Sequence, residues 1–221
     1  MEQSAHSQKQ SLCKTPPSAR PSSRLGFTYV AALVASFIFH APAVRAAKVP
    51  STVLVYNYAN ASAATLFLAE REATRILDSA GATIVWTNCW DERQLSVETN
   101  QLCAKGWTSQ TPGLTLISGT NRFLPKEFGA ASIPVYATIY YEHIALRAHE
   151  DNSEAELPIL LGCVIAHELG HLLGFPGHST SGIMQPQFGA RQIRQALMGN
   201  LLFTKEQTRV IRERVLVVAS R

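Results

Sequence analysis

The order of segments along this chain predicts an α+β fold, on three observations. A strand–helix–strand pattern occupies residues 52–87, further β-branched and aromatic runs follow it, and helical stretches close the sequence. A length of 221 residues accommodates one such domain behind a targeting segment.

Thr52 to Tyr58, TVLVYNY, is β-branched and alternating, which reads as a strand. Ser62 to Ala80 reads as a helix, with Leu66, Ala69, Ala73, Ile76, Leu77 and Ala80 on one face and Gly81 as its stop. Ala82 to Thr87 is a second strand, so the first three elements suggest a βαβ unit with a parallel pair. Asn88 to Gly113 is polar and reads as a loop ending in a Thr-Pro-Gly turn. Leu114 to Ser118 is a short apolar strand, and Gly119 to Ala131 has no clear period but has room for an irregular edge strand. Ile133 to His143 reads as a strand rich in Tyr and Ile, and residues 147–156 as a charged loop. Pro158 then opens a helix whose run from Ile159 to Ile165 marks it as buried. A helical segment around Arg191 to Met198 follows, and Thr204-Lys205-Glu206-Gln207 fits a capping box at the start of the last helix. Ile211, Val215 and Val218 form the inward stripe of that helix.

Residues 1–47 read as a secretory signal peptide with a long n-region. Phe27 to Phe39 is thirteen residues without a charge, small residues follow, and cleavage fits near Ala46 or Ala47. A retained membrane anchor is the competing reading, but thirteen apolar residues fall short of the ~20 that a spanning helix needs. The same 47 residues hold five Lys/Arg and one Glu, which accounts for the whole formal charge of +4; the remainder has fifteen of each sign. A basic footprint for nucleic acid or a membrane surface is therefore not expected in the mature part. That part, residues 48–221, is expected to be a single domain, secreted or periplasmic and monomeric.

Cys13 would be lost with the signal. In an exported protein Cys89 and Cys103 are the natural disulfide, with a gain of about 3 kcal/mol from restricting the unfolded chain. Cys163 lies one turn before His167 and reads as a buried free thiol rather than a metal ligand.

The stretch AHELGHLLGFPGHSTSGIM, from Ala166 to Met184, carries the chemistry. His167 and His171 are four apart, which on a helix puts both imidazoles on one face, able to reach one metal ion. Glu168 stands beside the first of them, within reach of a metal-bound water. Neutral imidazole suits Zn²⁺, and a catalytic zinc needs three protein ligands and one open position. His178 supplies a third candidate beyond Gly174, a residue suited to ending the helix with positive φ. Taken alone each residue has a bland reading: a satisfied core histidine, a surface carboxylate, a core methionine at Met184. Two histidines at this spacing with Glu between them, followed by a third, outweigh those readings.

An H-E-x-x-H helix, a Gly, a third His and a Met-containing turn resemble the metzincin zinc metalloproteases over about eighteen residues. The spacing departs from the usual pattern. Gly177 stands where that pattern has its third His, and His178 comes one later. The chain thus resembles a small secreted group with a lengthened loop. Gly177 is suited to a bulge with positive φ, and Pro176 keeps Phe175 extended. The resemblance implies a twisted mixed sheet over an active-site helix, with a small C-terminal helical part after the Met-turn. It also implies Met184 as an apolar floor under one catalytic Zn²⁺ ion. An edge strand of such a sheet can pair with an extended peptide.

The reading that follows is zinc-dependent hydrolysis of peptide bonds, with His167, His171 and His178 holding the metal and Glu168 as the base. Tyr136, Tyr140 and Tyr141 are candidates for stabilising the oxyanion. One alternative is a non-catalytic zinc-binding or peptide-binding protein that retains the motif. Others are a structural zinc site, and a different zinc peptidase class that recruits Glu206 or Glu213 as third ligand.

Overall fold

The computed structural model describes residues 50–90, 96–119, 127–150 and 156–219. The chain divides into two units, Met1–Val44 and Arg45–Arg221, and every described residue belongs to the second. The expected signal peptide over residues 1–47, with Cys13, lies outside the described residues. No helix among the described residues is long and apolar enough to cross a membrane.

The βαβ unit forms as its pattern indicates: strand β1 (Ser51–Asn57), helix α1 (Ala63–Ser79) and strand β2 (Ile84–Asn88). Ser62 caps α1 by accepting from the Thr65 backbone N–H at 3.0 Å, and β1 and β2 pair in parallel. Helix α2 (Val97–Lys105) follows, then strands β3 (Gly113–Ile117), β4 (Gly129–Ser132) and β5 (Tyr136–Tyr140). The sheet order is β2-β1-β3-β5-β4, parallel except for β4, which pairs antiparallel with β5 and forms one edge. Helices α3 (Tyr141–Glu150), α4 (Glu156–Leu172), α5 (Ala190–Leu197) and α6 (Lys205–Ala219) complete the chain. The result is the expected mixture of helices around a mixed sheet, with the antiparallel strand confined to the edge.

Three segments differ from the sequence expectation. The polar stretch Asn88–Gly113 is not all loop, because Ser96 caps α2 through the Thr99 N–H and the helix carries Cys103. Cys103 is joined to Cys89 as expected, with Cα atoms 5.6 Å apart, and the Tyr56 hydroxyl donates to its carbonyl at 3.0 Å. No residue of α2 is buried, so its apolar period is too weak to be read. The run Ile133–His143 is a strand only from Tyr136 to Tyr140. At its start Ile133, Pro134 and Val135 make the turn from β4, closed by Val135 N–H donating to Ser132 at 2.9 Å. At its end Tyr141, Glu142 and His143 already belong to α3. Burial of Ile144 and Ala148, four apart, selects the helix over the β-propensity of the tyrosine run. The charged segment 147–156 is correspondingly helical through Glu150, and residues 151–155 lie outside the described ones.

Helix α4 packs along α1 and against β4 and β5. Its burial is unbroken from Leu160 to Leu172, which accounts for the uniform apolar run in the sequence. Gly162 permits the close crossing with α1: a Cβ there would stand 2.7 Å from the Ala69 carbonyl oxygen. Cys163, on the same helix, is free and buried, and desolvation pushes its thiol up to about 12. At the C-terminal end, Thr204 and Gln207 form the expected capping box, with N···O distances of 2.9 and 3.3 Å. Ile211 is fully buried and Val215 half-buried, while the side chain of Val218 lies outside the described ones.

A second buried carboxylate lies on α1. Glu70 receives Asn88 Nδ2 at 3.4 Å on one oxygen, and its other oxygen has no partner. Desolvation raises it to about 7, against a smaller lowering by the Asn88 bond. A carboxyl whose pKa is raised on folding stabilises fully below its unfolded pKa, and that contribution is lost as pH rises through the folded value. Stability should therefore fall between about pH 4.5 and 7 by up to about 3 kcal/mol from this group. Urea unfolding of Glu70→Gln across that window should show this component missing. An unchanged pH profile would show that Glu70 ionises in the folded protein as readily as in the unfolded one.

Candidate metal centre

The last two turns of α4 bring His167, Glu168 and His171 into a buried position, 4–7% exposed. Burial obliges each polar atom to find a partner. His167 Nδ1 lies 2.7 Å from the Ile183 carbonyl, and His171 Nδ1 lies 2.8 Å from that of Phe175. A carbonyl only accepts, so each Nδ1 carries the hydrogen and each Nε2 presents a lone pair. The two Nε2 atoms face each other at 3.2 Å. Burial disfavours a proton on either ring. Desolvation lowers His167 to about 3, with the neighbouring histidines adding to the effect, and lowers His171 as well.

The third imidazole comes from the loop after α4. The helix ends in a Schellman turn, with Gly174 N–H donating to His171 at 3.0 Å and Phe175 N–H to Gly170 at 3.1 Å. Gly174 takes φ +102 there, as its position suggested. The same turn aims the Phe175 carbonyl at His171 Nδ1. His178 then folds back, with its ring centre 5.3 Å from that of His167 and 5.1 Å from that of His171. The ligand atoms of the three histidines all lie within 4.8 Å of one another. The extra residue is absorbed without the left-handed bulge expected at Gly177, whose φ is not positive; the left-handed residue of this loop is Gly174.

The donor set fits a zinc ion. Two nitrogens about 2.0–2.1 Å from a tetrahedral zinc stand roughly 3.3–3.4 Å apart, close to the separation of the facing lone pairs. Among the described residues no fourth His, Cys, Asp or Glu joins the group. Cys163, Glu206 and Glu213 are not part of it, and Glu213 pairs instead with Arg209 at 2.8 Å.

Glu168 is buried beside the histidines and points to the sheet edge. A Cβ on Gly129 of β4 would be 2.6 Å from its Oε1, so glycine lets the strand approach. Its Oε2 has no hydrogen-bond partner. Desolvation raises it to about 8, with the negative charge of Glu127 adding to the rise. A cation held by the histidines acts in the opposite direction and favours the carboxylate.

The group opens on a cleft of about 310 Å³ between β4 and the segment after His178. Phe188 sets its ring edge-on to His167 at 5.8 Å, and Phe128 meets Phe188 at 6.3 Å. None of Tyr136, Tyr140 and Tyr141 lines this cleft. Tyr136 packs at a tilt against Trp107, with ring centres 5.3 Å apart, and Tyr140 against His143 at 5.9 Å, so the structure brings none of the three to the three-histidine group.

Met184 is fully buried beneath α4, and a Cβ on Gly170 would meet its sulfur at 2.7 Å. The turn before it is held from the far end of the chain. Gln207 Nε2 donates to Ser179 Oγ at 2.7 Å and to the Ser181 carbonyl at 2.8 Å, and Ile183 N–H donates to Leu202 at 2.9 Å. Gly182, at φ +68, leaves space for Gln207, which a Cβ would meet at 2.7 Å. The capping box signalled Gln207 only as a helix start; nothing local in the sequence signalled its side-chain bonds. Gly129, Phe128, Glu127 and Phe188 likewise escaped sequence reasoning, for they carry no motif and meet the site only through the fold.

No family model matches this chain, and no curated protein does. Among solved structures, the archaemetzincin from Methanopyrus kandleri is similar over 75% of this chain and 95% of that chain, at 16% identity and a TM-score of 0.49. Metalloproteinase-II from Bacteroides fragilis is similar over 76% of this chain and 53% of that chain, at 15% identity and a TM-score of 0.47.

Because Gln207 holds the residue next to His178, Gln207→Ala should bind zinc about 10- to 100-fold more weakly. Competition against a chelator measures this, with circular dichroism to establish that the helices persist. Wild-type affinity in a folded Gln207→Ala protein would show that the loop holds His178 unaided.

Proposed function

We propose that this protein is a zinc-dependent metallopeptidase of metzincin type. The observation that carries the reading is the three-histidine donor set beside a buried carboxylate, Glu168, with an unpartnered oxygen. A structural metal site gives no use for that carboxylate, and neither does a binding protein that has only kept the motif.

In this reading His167, His171 and His178 hold the ion. Ile183 and Phe175 orient the first two through their carbonyls. Zinc supplies Lewis acidity toward water and the scissile carbonyl when bound. Glu168 takes the proton of the attacking water and delivers it to the leaving amine. Its unpartnered Oε2 is the atom available to accept that proton. Met184 and the Gly182 turn supply the apolar floor below the histidines.

The substrate is an extended peptide. Strand β4 is an edge of the sheet, lines the cleft and lies against Glu168 through Gly129. A peptide paired with its free edge would gain main-chain hydrogen bonds and present one carbonyl to the histidines. We also propose that the enzyme is exported, to the exterior or the periplasm. Residues 1–47 have the pattern of a signal peptide, and the Cys89–Cys103 bridge suits an oxidising compartment.

Glu168→Gln is expected to keep its zinc while losing about 10²- to 10⁴-fold in hydrolysis of an unfolded protein substrate. Metal content by elemental analysis and cleavage by gel or fluorogenic peptide read the two properties separately. Cleavage at the wild-type rate by the zinc-loaded variant would remove Glu168 from the mechanism.

A further inference from the structure

We propose that Glu127 sets a preference for a basic side chain, Lys or Arg, within about two residues of the cleaved bond; the proposal rests on the peptidase reading above. The cleft is unevenly charged along β4. Apart from the three histidines and Glu168, Glu127 is the one ionisable residue among the described residues that line it. The other lining residues are apolar or carry neutral amides, as at Gln185 and Gln187.

Position makes that single charge selective. Glu127 lies two residues before Gly129, the first residue of β4 and the point where the strand touches Glu168, and consecutive Cα atoms are about 3.8 Å apart. A peptide paired along β4 with its reacting carbonyl at the histidines therefore passes Glu127 within about two residues of that carbonyl. At the other end of the strand Ile133 lines the cleft and is 47% exposed, so the opposite flank of the peptide meets an apolar surface. The polarity of the cleft thus matches a peptide that is basic close to one side of the cut and apolar farther along the other.

Glu127 is also anchored through its backbone. Its carbonyl lies 2.6 Å from His143 Nδ1, and the next carbonyl, of Phe128, receives Tyr140 N–H at 2.8 Å, so the chain leading from it into β4 is fixed. Its carboxylate is half-buried, enters neither of the ion pairs among the described residues, and has no hydrogen bond there. A substrate ammonium or guanidinium would add an opposite charge beside it, and partial burial limits the screening that weakens surface pairs.

Two measurements on the zinc-loaded protein test this. The first compares kcat/KM on fluorogenic peptides that carry Lys, Gln or Glu at each position flanking a common cut. Wild type should prefer Lys over Glu by about 10-fold or more at one position within two residues of the cut, and Glu127→Lys should reverse that order. The second measures binding of the same labelled peptides to Glu168→Ala, with and without Glu127→Gln. Tighter binding of the Lys peptide should depend on Glu127 and shrink in high salt. Cleavage without any charge preference would overturn the role of Glu127 and leave the peptidase reading intact. A Glu127-dependent binding preference with no cleavage of any peptide by wild type would do the reverse. Equal binding of Lys and Glu peptides would also overturn the proposal.

Discussion

Helix α4 is buried without a break from Leu160 to Leu172, and within that stretch His167, Glu168 and His171 are polar. An apolar helix wedged between α1 and the sheet stabilises the domain through the area it removes from water. The same burial leaves the two imidazoles and the carboxylate on it without solvent. The surrounding chain answers that demand atom by atom. Two carbonyls, Ile183 and Phe175, fix the rings, and glycines at 129, 162 and 170 let β4, α1 and Met184 come close enough to seal the helix. What the protein does not satisfy is as informative. The residues of the facing Nε2 atoms and Glu168, with its unpartnered Oε2, line the same cleft.

Glu70 and Glu168 show how environment separates chemically identical groups. Both are buried, both have one unpartnered oxygen, and desolvation raises both. Glu70 faces the Asn88 amide on the side of α1 toward β2, away from any described cleft. Glu168 opens on a space of about 310 Å³ and shares it with three imidazoles. The first can only tax stability as it ionises, whereas the second can exchange a proton with whatever enters.

The sequence carried the local parts of this arrangement. Ligands four apart on a helix, a glycine that ends it, and a capping box are written in neighbouring residues, and so is the alternation of β1. Physical reasons explain what escaped. Helix α2 buries no residue, so its stripe is faint, and its Ser96 cap is common in loops too. The strand expected through His143 stops at Tyr140 because Ile144 and Ala148 find the core at helical spacing. Of the tyrosines named for the oxyanion, Tyr136 and Tyr140 share one face of β5 and Tyr141 begins α3, but the sequence pattern does not say which sheet face holds the metal. Gln207 and Glu127 reach the site across 28 and 41 positions of sequence from Ser179 and Glu168, and only the fold creates those meetings.

The Gln207 side chain also joins two parts of the molecule into one cooperative unit. Its Nε2 bonds to Ser179 and Ser181 can exist only while α6 is docked, since the oxygen of the same amide closes the cap at Thr204. Fraying of the terminal helix therefore frees the loop that carries His178, and an ion held by His178 resists that fraying. By linkage the two equilibria are one. The backbone amides of α6, far from the histidines in sequence, should exchange with solvent deuterium more slowly as the metal is taken up. The slowest-opening part of this fold would then be defined by occupancy of the centre as much as by the packing of its core.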